Sequence, residues 1–144
     1  MKLSTRGRYG MRAMYELAVN APDGTTPIKD IARRQDIPEA YLEQLMAVLK
    51  RAGLVASVRG AQGGYRLARE PGAISVGDVL RALEDGLNFM DCLAAEDSCL
   101  RAGTCPTRII YRKMRDGLNQ IVDGITLQDM IDDYRRESAG GTNQ

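Results

Sequence analysis

All three cysteines of this 144-residue chain fall in one polar stretch, DCLAAEDSCLRAGTCP, at residues 91–106, and the chain contains no histidine. Their spacing, Cys92-x6-Cys99-x5-Cys105, limits what the thiols can hold. Structural zinc takes four ligands and usually a C-x2–4-C knuckle, and neither is present. A loop with widely spaced cysteines can wrap a larger object such as an iron–sulfur cluster, whose irons take thiolates. Three thiols leave a coordination position for something else: Asp91, Glu96 or Asp97 nearby, water, an external thiol, or a residue from elsewhere in a dimer. The same loop could also act without a cofactor, with Cys92 or Cys99 oxidising against Cys105.

Other absences narrow the chemistry. Without histidine there is no imidazole base and no imidazole ligand. There is no tryptophan and one phenylalanine, Phe89, so stacking platforms for single strands are poorly supplied. The glycines of RGAQGGYR lie in a hairpin tip, outside the strand-to-helix position of a phosphate cradle. No nucleophile is paired with a base, so the chain is expected not to be an enzyme. An odd cysteine count without an apolar leader argues against a disulfide framework, and no run of eighteen apolar residues is present to span a membrane. A cytoplasmic protein is expected.

The elements that position the thiol loop follow from periodicity. Residues 1–70 carry 12 Lys+Arg against 7 Asp+Glu, and residues 71–144 carry 8 against 12, so a basic front joins an acidic back. That polarity suits a front half that meets a polyanion. In residues 5–20, Tyr9, Ala13, Met14, Leu17 and Ala18 form one apolar helical face, with Arg6, Arg8 and Arg12 outside it. A loop, APDGTTP, leads to a second helix with Thr26 as cap and Pro27 at its first position. A third, PEAYLEQLMAVLKRAG, aligns Leu42, Leu45, Met46 and Leu49 toward a core and shows Ala40, Glu43, Gln44, Ala47 and Arg51 on its other side. Leu54–Val58 and Tyr65–Ala68 then read as strands around a tip carrying Arg59.

Two short helices packed on a third and followed by a hairpin define a winged helix-turn-helix over residues 1–70. The fold class expected is mainly α with a small β-hairpin wing, plus a long C-terminal dimerisation helix. A connecting helix occupies 71–90 and the cysteine loop 91–106. Residues 106–139 hold the dimerisation helix, with Ile110, Met114, Leu118, Ile121 and Ile125 as a narrow stripe suited to pairing, and a last helix over 127–137 capped by Thr126 and Asp129. Residues 140–144 are expected to be a disordered tail.

A recognition helix of this kind fits the major groove of double-stranded DNA. Glu43 can accept from a cytosine amine, Gln44 can bond adenine, and Arg59 can enter a minor groove. Arg6, Arg8, Lys50 and Arg51 are placed to meet phosphates, which fix position without reading sequence. One such unit makes a small interface, so a homodimer on a two-fold operator is expected.

The opening MKLSTRGRYGMRAM, the segment YLEQL with LKRAGLV, the wing SVRGAQGGYRLAR and the trailing ISVGDVLRALE resemble the IscR/NsrR/CymR group of winged-helix regulators, the Rrf-two (Rrf2) family. The resemblance covers roughly residues 1–137. It implies a dimeric transcription factor, with Cys92, Cys99 and Cys105 as ligands of an iron–sulfur cluster, [2Fe-2S] favoured over [4Fe-4S]. It also implies that Glu43, Gln44 and Arg59 contact bases and grooves, with Tyr41 beside them. IscR-like members regulate cluster assembly operons, NsrR-like ones respond to nitric oxide, and CymR-like ones lack the cysteine loop. The pattern departs where IscR-like members have a histidine three residues after the last cysteine, here Arg108. It departs again where NsrR-like members can use an acid near the N-terminus, here Arg8, and the first cysteine gap is one residue longer. The function expected is a repressor sensing iron–sulfur assembly, iron or redox/NO status; the alternative is a cluster-free thiol-redox or cysteine-metabolism regulator.

Overall fold

The first helix begins at a cap: the Ser4 side chain accepts the Gly7 amide at 3.1 Å, and α1 runs over Thr5–Val19. The computed structural model of the chain describes residues 2–84, 86–87, 93 and 103–141. Beyond α1 these residues form α2 (Ile28–Gln35), α3 (Glu39–Arg51), strands β1 (Val55–Val58) and β2 (Gly64–Leu67), α4 (Val76–Leu83), α5 (Pro106–Asp123) and α6 (Leu127–Gly140). The mainly helical architecture with one antiparallel hairpin agrees with the fold read from periodicity. The expected 127–137 helix extends to Gly140.

One core serves every element except α5. Met14 and Leu17 of α1, Ile31 of α2, and Leu42, Leu45, Met46 and Leu49 of α3 are buried together. Leu54, Val55, Val79, Leu127 and Ile131 close the same cluster. Burying a side chain of this size contributes about 1.5–3 kcal/mol, so the four-residue stripe of α3 anchors the recognition helix with its other face left to solvent.

α1 and α4 approach closely because α1 carries Gly7 and Gly10 where they meet. A Cβ at Gly7 would clash with Glu84 Oε1, and one at Gly10 with Leu83 Cδ1. Two helix-interior glycines cost about 1 kcal/mol each in propensity, a penalty that the close packing against α4 offsets.

The starts of α4 and α6 are stitched side by side. Ser75 pairs antiparallel with Thr126, with Val76 N–H donating to Ile125 O at 2.8 Å and Leu127 N–H to Ile74 O at 3.0 Å. Both helices open with a capping box, Ser75 with Asp78 and Thr126 with Asp129. Thr126 is thus the cap read from sequence. Thr26 is not: α2 is capped by Pro27 without a side-chain bond, and Thr26 is buried. Its amide donates to Tyr65 O at 2.8 Å and its carbonyl accepts Tyr65 N–H at 2.9 Å, so its backbone belongs to the wing.

α5 stands apart. Pro106 occupies its first turn as expected, and a fork from Arg81 of α4 holds its far end. The guanidinium donates to Asp123 at 2.6 and 2.9 Å and to Asn119 at 2.9 Å. Only Val122 of α5 is buried, while Ile109, Ile110, Met114 and Ile121 are 53–60% exposed. Ile110, Met114 and Ile121 belong to the expected stripe and Ile109 extends it, while its other members, Leu118 and Ile125, are half-buried.

Candidate nucleic-acid interface and thiol loop

The turn from α2 to α3 is made by Asp36, in the left-handed region at φ 53, where short polar side chains are tolerated. Ile37 follows, buried, with its amide on Ala32 O at 2.9 Å. That geometry directs α3 outward with Ala40, Glu43, Gln44, Ala47 and Arg51 all exposed. Glu43 and Gln44 enter no hydrogen bond or ion pair among the described residues, so their polar ends are available to an external partner.

The wing is braced at three points, once to this helix and twice to the segment that leads into α2. Lys50 Nζ donates to Ser57 Oγ of β1 at 2.7 Å, Thr26 extends the hairpin beside Tyr65, and Thr25 Oγ1 donates to Gln62 O at the tip at 3.0 Å. β1 and β2 run in register from Val55↔Leu67 to Val58↔Gly64, leaving Arg59 exposed at the turn. Lys50, read from sequence as a phosphate contact, therefore also ties the recognition helix to the wing.

α1 supplies the third side. Arg6 and Arg8 are exposed in its first turns. Arg12 lies 5.2 Å over the Tyr9 ring and donates to the Gln35 carbonyl, joining α1 to the end of α2. Tyr9 meets Tyr41 edge-on at 5.9 Å between ring centroids, so half-buried Tyr41 packs toward α1. The Tyr9–Tyr41 contact thus joins α1 to the start of α3, as Lys50 joins the end of α3 to the wing.

Of the three thiols, Cys105 is described. It is the N-cap of α5, half-buried in an extended conformation, with its sulfur 3.0 Å from Thr107 Oγ1. Cys92 and Cys99 lie outside the described residues, as do Asp91, Glu96 and Asp97. Leu93, within the same segment, is buried.

Two residues that sequence reasoning missed sit between these regions. Glu84 Oε1 accepts the Ser4 amide at 2.9 Å and the Ser4 hydroxyl at 2.8 Å, so the last residue of the α4 segment completes the cap of α1. Ser4 carried a readable capping signal; Glu84, remote in the chain, carried none.

A helix-turn-helix with a braced wing and a basic front defines a DNA-binding protein of the winged-helix class. The family described as "Rrf2: Iron-dependent Transcriptional regulator" matches residues 3–133. The chain is 41% identical over 133 residues to HTH-type transcriptional regulator IscR of Aliivibrio salmonicida, covering 92% of this chain and 79% of that one. It is 42% identical over 130 residues to HTH-type transcriptional regulator CymR of Bacillus subtilis, covering 90% and 89%. The solved structure of T. potens IscR superposes with a TM-score of 0.77 at 46% identity, covering 93% of this chain and 88% of that one. The chain belongs to the Rrf2 family of transcriptional regulators, whose members here are not enzymes. No helix among the described residues is long and apolar enough to cross a membrane.

Proposed function

We propose that the chain is a homodimeric repressor that grips operator DNA with α3 and the wing and senses its signal through an iron–sulfur cluster held by Cys92, Cys99 and Cys105, [2Fe-2S] in preference to [4Fe-4S]. The observation that carries this reading is the position of Cys105: it caps the same helix that displays the apolar stripe. A ligand there is fixed to the element that pairs the subunits. A helix N-terminus also favours a negatively charged group such as a thiolate, so the described end of the loop fits a cluster ligand. When bound, the cluster supplies a brace whose charge and integrity change with iron supply, oxidation or nitric oxide.

In this reading Glu43, Gln44 and Arg59 read the grooves with Tyr41 beside them, and Arg6, Arg8, Lys50 and Arg51 meet phosphates. The apolar stripe of α5 meets its copy in a second subunit, which sets the distance between two recognition helices. With no histidine in the chain, the remaining ligand position falls to an acid, an exogenous group or another part of the dimer.

A cluster-free thiol regulator is the second reading. Similarity to CymR of B. subtilis, described as that organism's global cysteine regulator, matches the similarity to IscR. Anaerobic purification with a visible spectrum and iron and sulfide counts, on wild type and Cys99→Ala, separates the two. Visible bands with stoichiometric iron and sulfide, lost in the variant, support the cluster. A colourless protein that still binds DNA after attempted reconstitution supports thiol chemistry.

A further inference from the structure

We infer that the cleft between β2 and α6 is a binding site for a small organic anion, a carboxylate or phosphate ester with an apolar body. The cleft has a volume of about 560 Å³ and is lined by the end of α1, the following turn, residues 66–71 and one face of α6. That volume is within the range of about 300–1,000 Å³ typical of small-molecule sites.

Its lining combines the two features such a ligand needs. Leu67, Pro71 and Ile131 are buried and give it an apolar floor, while Arg66, Arg69 and Arg135 surround it with guanidinium side chains. Glu70 is the one acid in the lining, so the cleft is net positive. Arg66 and Arg135 enter no hydrogen bond or ion pair among the described residues. Arg69 is only loosely held, 4.0 Å from Asp78 and 3.4 Å from the Ala73 carbonyl. Asp78 is itself engaged by the Ser75 amide at 3.0 Å. Like-charged guanidiniums around one concavity repel one another unless an anion sits between them, and their forked donors match a carboxylate or phosphate.

The position gives the site a regulatory use. Arg66 belongs to the wing strand and Arg135 to the C-terminal helix, so an anion bridging them couples the wing to α6. This input is separate from the thiol loop, and its test uses no DNA, so it stands or falls independently of the proposed function.

The test is a two-dimensional amide NMR titration of the full chain at constant ionic strength, with succinate in one arm and inorganic phosphate in the other. The expected result is saturable shifts in residues 66–71 and 128–135 with at least one probe, and the arm that saturates identifies the oxyanion. Arg66→Gln with Arg135→Gln is expected to weaken that probe by about tenfold for each guanidinium lost. Both positions are exposed, and an unchanged melting curve shows that the variant folds. Shifts that do not saturate with either probe, or that survive in the variant, overturn the inference.

Discussion

Ser4 and Glu84, 80 positions apart, share one carboxylate oxygen and two hydrogen bonds, of 2.9 and 2.8 Å. The Ser4 hydroxyl that donates to Glu84 also accepts the Gly7 amide, so the cap of α1 and the end of α4 form one unit. Beyond Glu84 the chain leads toward the thiol loop; beyond Ser4 it enters the helix carrying Arg6 and Arg8. The latch thus joins the end of the segment that leads to the thiol loop to the helix carrying Arg6 and Arg8.

Glu84→Ala removes both bonds and is expected to lower stability by about 1–3 kcal/mol, measured by urea unfolding. Amide exchange over residues 4–8 should rise at the same time. Gly7→Ala makes a sharper test, because helix propensity alone predicts a gain of about 1 kcal/mol. The clash with Glu84 predicts a loss. A stabilised Gly7→Ala protein would mean that Glu84 moves aside freely and latches nothing.

Ile110→Glu with Ile121→Glu places charge in the exposed stripe of α5. Sedimentation should then report a monomer, while far-ultraviolet circular dichroism stays that of the wild type, because neither side chain belongs to the core. A dimer that persists would move the subunit contact to another face.

Glu43→Ala is expected to relax operator sequence preference and leave the salt dependence of binding unchanged. Arg51→Gln should weaken every site alike and reduce the salt slope by about 0.9, the value for one phosphate contact. Fluorescence anisotropy across a salt series distinguishes them, and the reverse assignment would overturn the docking of α3.

The Arg81 hydrogen bond holds the Asp123 carboxyl below its ordinary value of 3.8. A depressed carboxyl pKa contributes stability above the unfolded value and loses it as pH falls through the folded one. Unfolding midpoints of wild type should therefore fall more steeply below about pH 4 than those of Asp123→Asn. The pair is partly exposed, so the difference is small, and parallel pH profiles would show that the fork adds nothing.

Much of the fold was legible because it is locally encoded. The Leu42/Leu45/Met46/Leu49 stripe placed α3, and Thr126 with Asp129 marked the start of α6, since periodicity and capping act within a few residues. Thr26 shows the limit. Threonine before proline has the local chemistry of a cap, but pairing with Tyr65, a long-range contact, took its backbone for the sheet. The Glu84 latch and the Arg81 fork were illegible for the same reason: each joins residues far apart in the chain, which meet only in the folded structure. At the candidate site, the outward set of α3 was readable from what the stripe left over. The arginines of the β2–α6 cleft were not, because they come together only when the C-terminal helix returns to the wing.

The Lys50–Ser57 bond ties α3 to the wing and the Thr26–Tyr65 bridge ties the wing to the start of α2, so in the proposed docking they form a single reading head from which the turn at 59–63 projects. Such a head loses little freedom on docking, and its two readers keep a fixed angle between the grooves they enter. Lengthening the turn would extend the reach of Arg59 without reseating α3. Tip length is therefore a tuning parameter for groove preference, separable from the bases that the helix reads.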